Sequence, residues 1–209
     1  MVTRWLQTVA TPDNHGVGFA PVIAEDGSLY FGANQFLCKA DRLTGMLTLS
    51  ANLTTIVQQS SPALGANGGL FVGTMKGGSQ ADPARFFSMR RSDFVSNWFF
   101  DAGAVKQNDL SGASPVIGPD GRIVFASTNG NVYCIEPDTG TNSWTASSLG
   151  SAFRTPAFGR DDDRVFVSNG NTITALDYNG GGTLWSRNLG SLAGAPGVAP
   201  DGRVIVGNQ

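Results

Sequence analysis

Charge is scarce in this sequence: Asp, Glu, Lys and Arg make up 14% of 209 residues, and the formal net charge is −2. That balance leaves no basic stripe of the kind a phosphate backbone requires, so no nucleic-acid partner is expected. The two cysteines, Cys38 and Cys134, are too few for a disulfide framework. The one histidine, His15, has no cysteine near it, so metal-ligand spacing is absent. No apolar run reaches the ~20 residues that cross a bilayer. Residues 1–8 hold no apolar core of a signal peptide, which leaves two readings: an intracellular protein, or one whose leader has been removed. Nor does a 3.6-residue apolar period persist over about ten residues, so no helix is expected.

Glycine, proline and repetition take the place of these features. The 28 glycines and 10 prolines punctuate short apolar runs. Pro21, Pro62, Pro115, Pro156 and Pro196, spaced by 41, 53, 41 and 40 residues, each open a near-copy of one segment. Compare Ser-Pro-Val-Ile-Gly-Pro-Asp-Gly-Arg-Ile-Val-Phe at 114–125 with Ala-Pro-Gly-Val-Ala-Pro-Asp-Gly-Arg-Val-Ile-Val at 195–206. A period of ~40 with short strands predicts an all-β fold, a β-propeller of four-stranded antiparallel blades. After each proline comes a short strand a (Val22-Ile23, Val116-Ile117), a turn such as Asp120-Gly121, and an apolar strand b (Leu70-Phe71-Val72, Ile123-Val124-Phe125). An Asn-Gly hairpin such as Asn129-Gly130 leads to strand c, and strand d carries Trp98, Trp144 or Trp185.

This predicts one propeller domain over 1–209, with about five repeats starting near 19, 60, 113, 154 and 194, the last incomplete. Trp5 sits where the strand d of an earlier repeat would lie, giving 19 strands in all. That first strand could join the C-terminal strands a and b and close the ring. The alternative is an arc of a larger propeller, whose open blade faces would favour a homodimer.

The c–d segment reads Ala-x-Asp-x-x-x-Gly-x-x-x-Trp. Repeat four matches fully with Ala175, Asp177, Gly181 and Trp185, and repeat three nearly so with Cys134, Glu136, Gly140 and Trp144. Repeat one has Lys39, Asp41, Gly45 and Leu49; repeat two has Ser88, Arg90, Phe94 and Trp98. The pattern resembles the tryptophan-docking repeat of the quinoprotein (PQQ-like) β-propellers, over nearly the whole chain. The resemblance implies that the Trp of one blade stacks on the peptide at the Gly of the next, where a Cβ would obstruct the indole. Gly140, Trp144, Ala175, Asp177, Gly181 and Trp185 are therefore expected to be structural docking residues, with Trp144 and Trp185 buried between blades.

The dehydrogenases of that family use adjacent bonded cysteines, acidic calcium ligands and a catalytic Asp. Here the cysteines stand 96 positions apart and none of the set can be carried over, so no cofactor, metal or catalytic residue is expected. The non-catalytic members, outer-membrane assembly factors and binding scaffolds, are the nearer comparison. Cys38 and Cys134 fall two blades apart, so they are expected as free thiols.

Other apparent motifs have structural explanations. Asp161-Asp162-Asp163 occupies an a–b turn without the ligand order of a calcium loop. Asn179-Gly180-Gly181-Gly182 precedes a strand and not a phosphate-binding helix. Ser60, Ser61 and Ser114 show no nucleophile elbow. The informative irregularity is an insertion between strands b and c of repeat two, Thr74 to Arg85. In a four-stranded blade the b–c and d–a loops share a face, which would collect His15, Gln58, Gln59, Lys76, Arg85, Lys106, Asn108, Arg154 and Arg187.

The expected function is a non-catalytic scaffold binding a protein, peptide or small polar ligand on that face, with His15, Arg85, Arg154 and Arg187 as candidate ligand residues. The alternatives are a carbohydrate- or small-molecule-active enzyme in the central channel, needing two carboxylates ~5–10 Å apart, or a fragment of a larger propeller.

Overall fold

The computed structural model describes residues 6, 20–54, 57, 60–74, 85–102, 113–150, 154–159, 163–192 and 194–207. These residues form four four-stranded antiparallel sheets and one two-stranded sheet, each ordered as in sequence. Blade one is β1 (Val22–Ile23), β2 (Leu29–Ala33), β3 (Phe36–Ala40) and β4 (Leu47–Asn52). Blade two is β5 (Ala63–Leu64), β6 (Gly69–Gly73), β7 (Arg85–Arg90) and β8 (Ser96–Asp101). Blade three is β9 (Val116–Ile117), β10 (Ile123–Ser127), β11 (Asn131–Ile135) and β12 (Asn142–Ala146). Blade four is β13 (Ala157–Phe158), β14 (Arg164–Asn169), β15 (Thr172–Asp177) and β16 (Thr183–Asn188). Strands β17 (Gly197–Val198) and β18 (Val204–Ile205) begin a fifth. The expected strand at Trp5, and any ring closure through it, lie outside the described residues.

Burial follows from stacking blade on blade. Every residue of β6 and β10 is buried, because strand b is covered on both faces by neighbouring sheets. The outer strands β4 and β8 instead alternate between exposed and half-buried positions. Accordingly, each core cluster joins two successive blades. Tyr30, Leu37, Leu70, Val72 and Phe94 join blades one and two. Phe71, Phe86, Ile123, Phe125 and Ile135 join two and three, while Val124, Trp144, Val165, Leu176 and Tyr178 join three and four. Near the axis, residues just before the repeat prolines tie the blades together: Ser61 N–H donates to Ser114 Oγ, and Ser114 N–H to Thr155 Oγ1, both at 3.0 Å.

One turn geometry recurs at every described c–d connection. The N–H of Gly45, Phe94, Gly140 and Gly181 donates to the carbonyl four residues earlier, on Asp41, Arg90, Glu136 and Asp177. All four residues adopt positive φ, at 70°, 56°, 72° and 73°. Asp177 shapes its turn by accepting from the N–H groups of Asn179 and Gly180, each at 3.1 Å, as Asp41 does for Leu43 and Thr44. The turn then receives the indole of the preceding blade. A Cβ on Gly140 would lie 2.6 Å from Trp98, and one on Gly181 2.6 Å from Trp144. Trp98 Nε1–H donates to Pro137 O at 2.9 Å and Trp144 Nε1–H to Tyr178 O at 2.7 Å. In both joints the acceptor lies three residues before the glycine.

The joint between blades one and two reaches the same end differently. Its docking position is Leu49, not Trp, and its receiving position is Phe94, not Gly. The bulk has changed sides: Phe94 is 4% exposed and meets Tyr30 edge-on, with centroids 6.1 Å apart. The left-handed backbone at Phe94 costs about 1–3 kcal/mol, offset by this packing. Leu49→Trp alone should destabilise by about 1–3 kcal/mol through overpacking. Phe94→Gly alone should cost about 3–5 kcal/mol through the lost ring. The double variant should recover at least about 1 kcal/mol relative to the sum, read from urea denaturation midpoints.

Trp185 corrects the expectation of burial. It is half-buried, its ring neighbour is Phe166 at 5.9 Å, and no described glycine lies beneath it. The reason is geometric: the receiving turn belongs to a c–d hairpin, and the described fifth blade consists of β17 and β18. Trp144→Ala should therefore cost about 3–5 kcal/mol and Trp185→Ala clearly less. Equal losses in thermal unfolding would contradict this difference between the two indoles.

Candidate functional site

Antiparallel order puts the a–b and c–d turns on one face of the blades and the b–c and d–a loops on the other. On the b–c/d–a face, Arg85 opens β7 and lays its guanidinium over Phe99, 4.6 Å from the ring centroid. Its Nε is buried without a partner among the described residues. Thr74 closes the base of the insertion: its N–H donates to Arg85 O at 2.8 Å, and its Oγ1 accepts from Arg85 N–H at 3.0 Å. Arg154 is exposed in the d–a connection, its N–H donating to Ser168 O at 3.0 Å. Arg187, exposed on outer strand β16 opposite Ile173, donates from Nη1 to Ser186 O at 3.1 Å. Each arginine thus contacts its own blade, and among the described residues no contact joins one to another. His15, Gln58, Gln59, Lys76, Lys106 and Asn108 lie outside the described residues.

The opposite face holds the interactions that sequence reasoning missed. Tyr178, in the c–d turn of blade four, donates its hydroxyl to Asp120 in the a–b turn of blade three. Arg122 donates from Nε to the other oxygen of Asp120 at 2.8 Å, and its guanidinium stacks 4.3 Å above the Tyr178 ring. Burial raises the Tyr178 pKa, and the bond to Asp120 adds to this. Burial opposes ionisation of Asp120, but the Tyr178 and Arg122 hydrogen bonds hold its carboxyl below the ordinary value. One joint back, Asn67 Nδ2 donates to Asp138 Oδ1 at 2.8 Å across 71 positions. Two clefts open on this face. One of 330 Å³, between blades one and two, is lined by Glu25, Asp26, Tyr30, Lys39 and Arg91 among others. The other, of 380 Å³, lies between blades two and three. Neither carries a motif; each exists because turns distant in sequence meet.

Among the described residues no group of three or more His, Cys, Asp or Glu could hold a metal, and no helix is long and apolar enough to cross a membrane. Asp163 of the triple-Asp turn pairs with Arg164 at 3.5 Å, and Asp161 and Asp162 lie outside the described residues. Cys38 and Cys134 are free and buried. Burial pushes the Cys38 pKa from 9.0 to about 11 and that of Cys134 to about 12. An unfolded chain releases these protons first, so the stabilisation is present below pH 9 and is lost as pH rises toward 11. Urea midpoints should fall across that window, with a smaller fall in Cys134→Ala. Thiol titration should find two free groups on unfolding.

Blades of four antiparallel strands, docked indole on glycine around a common axis, define a β-propeller of PQQ-like repeats. The chain belongs to the family whose model is described as outer membrane protein assembly factor BamB, which matches residues 3–171 and 96–209. Its fold is similar to the crystal structure of BamB from Moraxella catarrhalis, with a TM-score of 0.64 at 14% identity. The match covers 86% of this chain and 55% of that one, so the chain spans about half the length of that relative. No curated protein matches the sequence significantly.

Proposed function

We propose that this chain is a non-catalytic scaffold, a single propeller domain over 1–209 that binds a protein or peptide on its b–c/d–a face without a cofactor. The observation that carries this reading is where the carboxylates are used. Asp26, Asp41, Asp93, Asp120 and Asp177 each accept backbone N–H groups within their own turns, which builds the frame. The one departure from the repeat length is instead the Thr74–Arg85 insertion, pinned at its base while β6 and β7 keep their pairing. Membership in a family described as an assembly factor supports the same reading. His15, Arg85, Arg154 and Arg187 are the residues we assign to the site, as donors to a carboxylate-bearing or otherwise polar partner.

Thermal shift with an acidic peptide tests this. The peptide should stabilise the parent chain and fail to stabilise the Arg154→Ala, Arg187→Ala double variant, whose own Tm should be nearly unchanged because both side chains are exposed. Equal stabilisation of both proteins would place the site elsewhere. Turnover of a chromogenic glycoside by the purified chain would replace the scaffold with an enzyme.

A further inference from the structure

We propose that the cleft between blades two and three, on the a–b/c–d face, receives an arginine side chain from a partner polypeptide. Asn67, Phe71, Pro119, Asp120, Pro137 and Asp138 form its functional lining. Its 380 Å³ sits at the small end of ligand pockets, which run ~300–1,000 Å³, and suits a side chain or two.

The next joint shows why the space is open and what fits it. Between blades three and four the corresponding volume is filled by Tyr178 and Arg122, with the arginine stacked on the ring and bonded to Asp120. The residues at the matching positions one joint back are Pro137 and Gly69, so both large side chains are missing. The blade cannot fill the gap from Gly69. A Cβ there would lie 2.9 Å from the Phe71 ring and 3.0 Å from Asn67 Oδ1.

Two carboxylates, Asp120 and Asp138, line this cleft, and no Lys or Arg is among its lining residues, which favours a cation. Arg91, which with Lys39 lines the cleft between blades one and two, reaches this one only at its rim, where Nη2 donates to Gly65 O at 3.4 Å. Asp120 is already paired with Arg122, at 2.8 Å. Asp138 spends Oδ1 on Asn67, and its second oxygen has no partner among the described residues. Pro119 and Pro137 offer apolar surface for an aliphatic stem, and a planar guanidinium can stack there while bonding the carboxylate.

This inference rests on the scaffold reading only in taking the partner to be a polypeptide, and it uses the opposite face. The test titrates acetyl-Gly-Arg-Gly-amide, and the same peptide with citrulline for arginine, against the parent chain by NMR. The arginine peptide should bind. Citrulline, or Asp138→Asn, should weaken binding about three- to fivefold, the range for an exposed charge pair. Pro137→Tyr, which copies Tyr178, should abolish binding without lowering Tm. Equal affinity for the two peptides, unchanged affinity in Asp138→Asn, or no binding at millimolar peptide would overturn the proposal. Should Pro137→Tyr fail to fold, Asp138→Asn decides, since that side chain is on the surface. Loss of acidic-peptide stabilisation with arginine-peptide binding intact would sink the b–c/d–a site alone, and the converse would sink this cleft alone.

Discussion

Two of the three described joints in this structure depend on an indole resting on a peptide that has no Cβ. A single blade is a sheet with apolar faces on both sides and cannot bury either by itself, so stability resides in the joints. At the joints after blades two and three, Trp98 and Trp144 supply both the apolar plate and a donor, and the receiving turn supplies a flat backbone with one outward carbonyl. The turn must therefore be built before the joint can form. In blade four Asp177 caps the first N–H groups, while in blade three Glu136 instead accepts from Ser143 Oγ; in both, a left-handed glycine ends the turn and the carbonyl three residues before it faces the indole. Sequence, turn, joint and frame form a single causal line from Asp177 to the burial of Trp144.

The first joint shows which parts of that line are obligatory. Leu49 and Phe94 abandon both the indole and the glycine, yet the left-handed conformation and the four-residue hydrogen bond persist at Phe94. Backbone geometry is thus the fixed requirement, and bulk can enter from either side. Arg90 replaces the usual acid in that turn and bonds Asp93, which caps Val95 in turn. A local ion pair does the work of an Asx cap.

The blades were legible because their signals are local. Proline at the start of strand a, Asp-Gly in the next turn and the spacing from Gly181 to Trp185 all act within one repeat, so reading one repeat located the others. The insertion from Thr74 to Arg85 was equally plain as a break in period. The cleft between blades two and three was not legible, since it depends on what two neighbouring repeats both lack: Pro137 and Gly69 mean nothing until Tyr178 and Arg122 are seen at the same places one joint later. Nor did spacing reveal that Trp185 would lie half-buried, because the motif records the plate and not the surface that receives it.

The exchange at the first joint has a consequence for how such repeats can be recombined. Leu49 belongs to one blade and Phe94 to the next, so neither blade is interchangeable with its siblings. A blade-three copy placed after blade one would set Gly140 against Leu49 and leave a hole. A blade-two copy placed after blade three would drive Phe94 into Trp144. Duplication or grafting of units in this architecture is therefore compatible only when the break falls inside a blade, between the c–d turn residue that receives the neighbour and the strand d that follows it, so that the two halves of each joint travel together.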